Sequence, residues 1–237
     1  MLAASADLAA NARRQGARDV RPAPVAAPEL PDPVRSRAEV RADLGAGDRP
    51  LVVAVGRLHP QKGYDVLLDA AARWAGDARL PAPPLVAIAG DGPLAEELGR
   101  SIEQRRLPVV LLGRRDDAAD LLRAADVCVL PSRWEARSLT AQEALRAGTP
   151  LVASRAGGLP ELLGDAADLV PVGDAGALAE AVVHVLTDPG HARALTEAGR
   201  QRAAGWPDEA ATARMLVAVY RELLGAPDGG HSGHSGP

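Results

Sequence analysis

The chain has 237 residues, room for one large domain or for one and a half small ones. Its formal net charge is −4 with no long basic run, which excludes a nucleic-acid footprint; the pairs Arg105-Arg106 and Arg114-Arg115 are too short to make one. Apolar residues make up 47% but aromatics only 2%, so the core must be built from Ala, Val and Leu, and no apolar segment approaches the ~20 residues of a membrane span.

In chain order, residues 2–15 are Ala-rich and predict a short helix stopped by Gly16. Asp7 and the lack of a basic start argue against a signal peptide, so the expected location is the cytoplasm. Residues 19–33 are crowded with proline, which prevents a helix and predicts an extended linker. A second short helix is predicted over 35–44, closed by Gly45. Residues 1–49 thus read as a lead-in, with the domain proper beginning at Pro50.

From there short apolar runs alternate with helical spacing. Strands are predicted over 51–55, 85–89, 109–112, 127–130, 151–153 and 169–170, and helices between them over 64–74, 94–105, 118–124 and 139–147. Strands that are apolar on both sides belong to a parallel sheet covered on both faces, so the expected class is a Rossmann-like doubly wound α/β fold. Helices follow over 177–186, 192–204 and 208–224, and the tail 225–237 is expected to be disordered, with His231 and His234 spaced to bind a metal weakly. Cys128, the single cysteine, lies inside the fourth apolar run; it reads as a small buried hydrophobe, and no disulfide or thiolate cluster is available.

In such a sheet the ligand sits outside the carboxyl ends of the strands. The unusual residues fall there: Gly56-Arg57-Leu58-His59-Pro60-Gln61-Lys62-Gly63 after the first strand, Gly90-Asp91-Gly92-Pro93 after the second, and Gly113-Arg114-Arg115 after the third. The loop 131–138 follows the fourth and 154–158 the fifth. Arg57 and Lys62 stand at the mouth of a helix expected to start near Gly63, an arrangement suited to a diphosphate. Among 27 basic residues only Lys62 is lysine, which favours a specific role over a solvated loop charge. Backbone N–H groups at Ser138, Leu139 and Thr140 would open the next helix toward the same anion. Glu143, about a turn further on, can accept hydrogen bonds from a vicinal diol such as a ribose, and Glu135 would stand nearer a reacting sugar.

The run from Trp134 to Ala153 resembles the glutamate-x7-glutamate motif of GT-B glycosyltransferases, in particular family 4, the glycosyl transferases group 1. Residues 55–63 look like that family's diphosphate loop, and Gly90-Asp91-Gly92-Pro93 and Gly157-Gly158-Leu159-Pro160-Glu161 match two further signatures. The resemblance covers roughly residues 17–224 in the family's order. It implies that Arg57 and Lys62 bind the donor diphosphate without a metal ion or other cofactor, that Glu135 contacts the donor sugar, and that Glu143 contacts the ribose. Ser138, Leu139 and Thr140 would hold phosphate or sugar oxygens, with Gly90, Gly113 and Arg114 flanking the base. Family members retain anomeric configuration, and Glu135 is given an electrostatic and positioning role. Ala136 and Arg137 depart from the residues usual after the first glutamate, which leaves the donor sugar open.

The resemblance also implies a missing wall. Family members carry two such domains, and this chain matches the second: residues 1–25 resemble the end of the first domain, 26–50 the hinge, and the helix after Trp206-Pro207 the segment that crosses back. The expected partners are a nucleotide-sugar donor and a separate N-terminal acceptor domain or subunit, with apolar surface on 2–12 and 215–224 left exposed or folded back. Two readings stand: the donor domain of a glycosyltransferase, inactive alone, or a non-catalytic nucleotide-sugar binding or regulatory module. An unrelated dinucleotide-binding protein is disfavoured, because no Gly-x-Gly-x-x-Gly follows the first strand.

Overall fold

A computed structural model describes residues 1–225. The N-terminal piece is a small parallel strand–helix–strand unit: β1 (Leu2–Ala3), α1 (Ala6–Arg14) and β2 (Arg21–Pro22), with Ala3, Ala9, Ala12 and Val20 as its core. The helix expected over 2–15 is therefore shorter at its start, and part of the expected linker is a strand. Neither two-residue strand has a period long enough to be read.

An extended segment leads to α2 (Arg37–Asp43), which opens with a capping box between Ser36 and Glu39. The main sheet then alternates with helices: β3 (Leu51–Val55), α3 (Tyr64–Trp74), β4 (Leu85–Ala89), α4 (Ala95–Arg105), β5 (Val109–Gly113), α5 (Ala118–Ala124), β6 (Val127–Leu130), α6 (Leu139–Ala147), β7 (Leu151–Ser154), α7 (Leu159–Leu163) and β8 (Asp168–Val170). Three helices close the chain: α8 (Ala175–Thr187), α9 (Pro189–Ala204) and α10 (Glu209–Leu223).

The six strands are all parallel in the order β5-β4-β3-β6-β7-β8. The order runs outward in one direction from β3 and then in the other from β6, the doubly wound arrangement expected. Alternate residues feed two cores. Val52, Ala54, Val86, Ile88, Val127 and Val129 pack under α3 and α8, while Leu51, Val53, Leu85, Ala87, Cys128 and Leu130 pack under α5, α6 and α7. Cys128 is fully buried, and desolvation, with Glu143 nearby, pushes its thiol up to about 12, so it serves as packing. Trp74 is also buried, and its indole N–H donates to the Ala179 carbonyl at 3.2 Å.

The proline-rich lead-in is strapped to α6 rather than loose. Gln142 is fully buried; its carbonyl oxygen accepts from the Ala27 N–H at 3.1 Å, and its amide donates to the carbonyls of Val25 and Ser138. Arg137 donates to the Val25 carbonyl at 2.9 Å, and Arg146 to those of Ala27 and Pro28. A segment with no ladder of its own must have its carbonyls satisfied this way. Further along, the buried Asp120 carboxylate accepts from the N–H groups of Val34 and Arg35. We expect Gln142→Leu, which orphans the Ala27 N–H, to destabilise the domain by ~1–3 kcal/mol. Limited proteolysis should then cut faster between residues 23 and 30; unchanged cutting and unchanged melting would contradict it.

No residue of α10 is buried, and Val217, Tyr220, Leu223 and Leu224 are exposed. Arg21 of β2 pairs with Glu222 of α10, and a groove of about 520 Å³ runs between the two pieces, lined by Leu2, Pro24, Val25, Thr212, Ala213 and Leu216. The apolar surface expected at the two ends therefore splits: the face of α1 folds onto its own strands, and that of α10 stays open. No helix among the described residues is long and apolar enough to cross a membrane. The histidine pair of the tail, His231 and His234, lies outside the described residues.

Candidate functional site

The winding direction of the sheet reverses between β3 and β6, and a doubly wound sheet takes its ligand in the crevice at such a switch point, bordered by the loops after these two strands. Those are the loops 56–63 and 131–138. Backbone bonds stitch them and their neighbours into one rim: Arg133 N–H to the Gln61 carbonyl at 2.7 Å, Leu58 N–H to the Asp91 carbonyl at 2.9 Å, and Gly90 N–H to the Gly113 carbonyl at 2.7 Å. On the other side Gly158 N–H donates to the Glu135 carbonyl at 2.8 Å. The loop after β3 takes a single 3-10 turn over Pro60–Lys62, then Gly63 in the left-handed region (φ 67°), and α3 begins at Tyr64. A Cβ on Gly63 would lie 2.1 Å from the Pro131 carbonyl oxygen, so glycine is what lets the two loops touch.

At that contact Lys62 Nζ donates to Glu135 Oε1 at 2.6 Å, and Ser132 Oγ donates to the same oxygen at 2.8 Å. Glu135 is 7% exposed, and Ser132 is fully buried. Sequence reasoning gave Lys62 and Glu135 separate roles on loops 73 residues apart; the structure joins them as an ion pair. Ser132 was missed. No residue-type rarity marks it, and only its place three positions before Glu135 in the same loop ties it to the site. Gln61 was missed as well; its amide donates to the Trp134 carbonyl at 2.8 Å and braces the pair from outside.

Arg57 is exposed and has no ion pair among the described residues. The α6 N-terminus faces the same crevice by topology, since α6 directly follows the loop 131–138. Ser138 is its N-cap, with Oγ accepting from Ala141 N–H at 3.2 Å. That leaves the N–H groups of Leu139 and Thr140 without a hydrogen-bond partner among the described residues. Leu139 is 44% exposed and Thr140 partly so, which keeps this end of the helix open.

Glu143 is half-buried and makes no hydrogen bond or ion pair among the described residues; burial pushes its carboxyl above the usual range, opposed by Arg146. A carboxyl whose folded-state pKa is raised opposes folding once pH rises through the unfolded value, and the penalty is complete above the folded value. Glu143→Gln should therefore raise the melting temperature by about 1–3 °C at pH 8 and by nothing at pH 3. A melting curve for the variant that matches the wild type at both pH values would contradict this.

Gly113 and Arg114 are less well placed. Gly113 meets Gly90 through backbone alone, and Arg114 is 88% exposed with only Asp116 as ion partner among the described residues. Arg137, the departure noted after Glu135, turns away from the Lys62–Glu135 pair. Its guanidinium lies 5.9 Å over the Trp206 ring and holds the lead-in. His59 uses Nδ1 to accept from Gln61 N–H at 3.3 Å, a turn contact.

A doubly wound parallel sheet with the Lys62–Glu135 pair at its switch point defines the class: a Rossmann-like α/β domain of the GT-B kind. The chain belongs to the glycosyl transferases group 1 family, whose model matches residues 36–202. It is 35% identical over 208 residues to the GDP-mannose-dependent alpha-(1-6)-phosphatidylinositol monomannoside mannosyltransferase of Mycolicibacterium smegmatis, covering 81% of this chain and 53% of that protein. It is 35% identical over 227 residues to the 2-deoxystreptamine N-acetyl-D-glucosaminyltransferase of Streptomyces fradiae, covering 91% and 50%. The structure superposes on sucrose-phosphate synthase from Thermosynechococcus elongatus with a TM-score of 0.80 at 29% identity, covering 95% of this chain and 58% of that one. The chain spans about half the length of the curated relatives it matches.

Proposed function

We propose that this chain is the donor-binding wall of a retaining glycosyltransferase and takes a sugar from a nucleoside-diphosphate sugar without a metal ion. The observation that carries the reading is the Lys62–Glu135 pair, partly buried at the switch point and beside the open N-terminus of α6. Lys62 has three N–H donors and Glu135 engages one, so two remain for phosphate oxygens. Arg57 and the first-turn N–H groups of α6 would complete the cradle and stabilise a departing diphosphate. Glu135, held by Ser132 and Lys62, would orient the donor sugar and offset positive charge developing on it. Glu143 would accept the ribose hydroxyls, and the backbone at Gly90 and Gly113 would border the base.

The use of GDP-mannose in the name of the mycobacterial relative supports a nucleotide-sugar donor. That the chain spans about half of its relatives supports a second wall, carrying the acceptor, in a separate domain or subunit. The chain alone should bind one of UDP, GDP or ADP by calorimetry and should show little or no sugar transfer. No binding of any of the three by folded protein would sink the donor reading, and robust turnover of several acceptors would sink the two-wall reading.

A further inference from the structure

Far from the donor crevice, at the end where α8 turns into α9, three metal-ligating side chains meet. Asp168 opens β8, His184 lies in the last turn of α8, and His191 in the first turn of α9. One ligand atom from each falls within 4.8 Å of the other two. His191 Nε2 stands 2.8 Å from Asp168 Oδ2, and the His184 and His191 rings are stacked with centroids 4.1 Å apart and planes 15° apart. His191 is further fixed by Asp188, whose Oδ1 accepts from the N–H groups of Gly190 and His191; Asp188 Oδ2 lies 3.8 Å from His184 Nε2.

We propose that Asp168, His184 and His191 form a binding site for a borderline divalent transition metal of the zinc class, separate from the donor crevice. Two imidazoles and one carboxylate suit zinc, nickel or copper, whereas magnesium and calcium take oxygen ligands. Tetrahedral zinc with bonds of ~2.0–2.1 Å separates its ligand atoms by roughly 3.4 Å. Because all three ligand atoms lie within 4.8 Å of one another, drawing the widest pair in takes a shift of at most about 1.4 Å. His184, whose side chain is 56% exposed, can make that move by turning its ring out of the stack. His191 and Asp168 are already close, and the neutral imidazole would bind the ion through Nε2 in the tautomer that carries its proton on Nδ1. Three protein ligands leave a fourth position for water. A bound ion would add a staple between β8, α8 and α9, which already pack together through Val170, Val185 and Leu195.

The test uses the full chain carrying His231→Ala and His234→Ala, so that the tail histidines contribute nothing, stripped with EDTA and titrated with zinc chloride. Expected are one equivalent of zinc bound, shifts of the His184 and His191 imidazole resonances with His59 unmoved, and a rise in melting temperature that magnesium does not produce. His191→Ala should weaken zinc binding by at least ~10-fold. His184→Gln, at an exposed position, should do the same while the protein stays folded, with only the small loss of metal-free melting temperature that the stacked pair accounts for. Absence of zinc binding, or affinity unaffected by both substitutions, overturns the proposal.

Discussion

Replacing Lys62 by alanine is expected to weaken nucleoside-diphosphate binding by ~1.5–3 kcal/mol, the worth of a charge-assisted hydrogen bond, or roughly 10- to 150-fold. The same change should also lower stability. Glu135 would keep only the Ser132 hydroxyl on a carboxylate that is 7% exposed. Breaking a fully buried pair costs ~3–5 kcal/mol; here the Lys62 side chain is 21% exposed, so water can reach the vacated space and about 1–3 kcal/mol is expected. The two effects separate in Glu135→Gln, which removes the carboxylate while leaving Lys62 to the phosphates. That variant should hold the diphosphate at least as tightly as wild type, and the nucleotide sugar less tightly relative to it. Calorimetry on both variants, with melting curves as the control for folding, checks this. A folded Lys62→Ala protein with undiminished affinity for every diphosphate would mean that the pair is structural only.

Gly63→Ala is expected to damage the site severely for the addition of a single methyl group. The residue has φ 67°, and the left-handed region costs a non-glycine residue ~1 kcal/mol. Steric overlap then adds to it, because the new Cβ would sit 2.1 Å from the Pro131 carbonyl oxygen. Backbone on both sides must part, breaking the bond from Arg133 N–H to the Gln61 carbonyl and drawing Lys62 away from Glu135. A loss of about 3–4 kcal/mol is expected, or roughly 6–16 °C in melting temperature for a domain of this size, together with a fall in diphosphate affinity. Gly99→Ala is the contrast. It lies inside α4 with nothing within 4 Å of a new Cβ, so it should stabilise by ~0.5–1 kcal/mol. Equal melting temperatures for the two variants would show that the loop contact at Gly63 does not constrain the fold.

Much of the sheet was legible because a strand buried on both faces leaves a run without polar interruption. The predicted strands at 51–55, 85–89 and 127–130 coincide with β3, β4 and β6. The predicted helices at 64–74, 118–124 and 139–147 coincide with α3, α5 and α6. What was not legible is short or held by tertiary contacts. β1, β2 and the five-residue α7 are too brief to show a period, and α7 carries Pro160 in its first turn, where the helix tolerates it. The starts of α8 and α9 fall earlier than predicted, since Asp174 and Asp188 cap them before the apolar spacing begins.

By itself the sequence determined the fold class, the order of strands and helices, and which loops follow the strands, because these depend on local periodicity and on residues such as Gly63 that few conformations need. It also singled out Lys62 and Glu135, each on its own loop. Only the tertiary structure decided that the two meet as a partly buried ion pair with Ser132, that Arg137 turns to Trp206 and the lead-in, and that Gln142 straps residues 25–27 to α6. Those contacts join residues far apart in the chain. Their existence depends on the reversal of winding between β3 and β6 and on how closely the backbones pack there, neither of which any local pattern encodes.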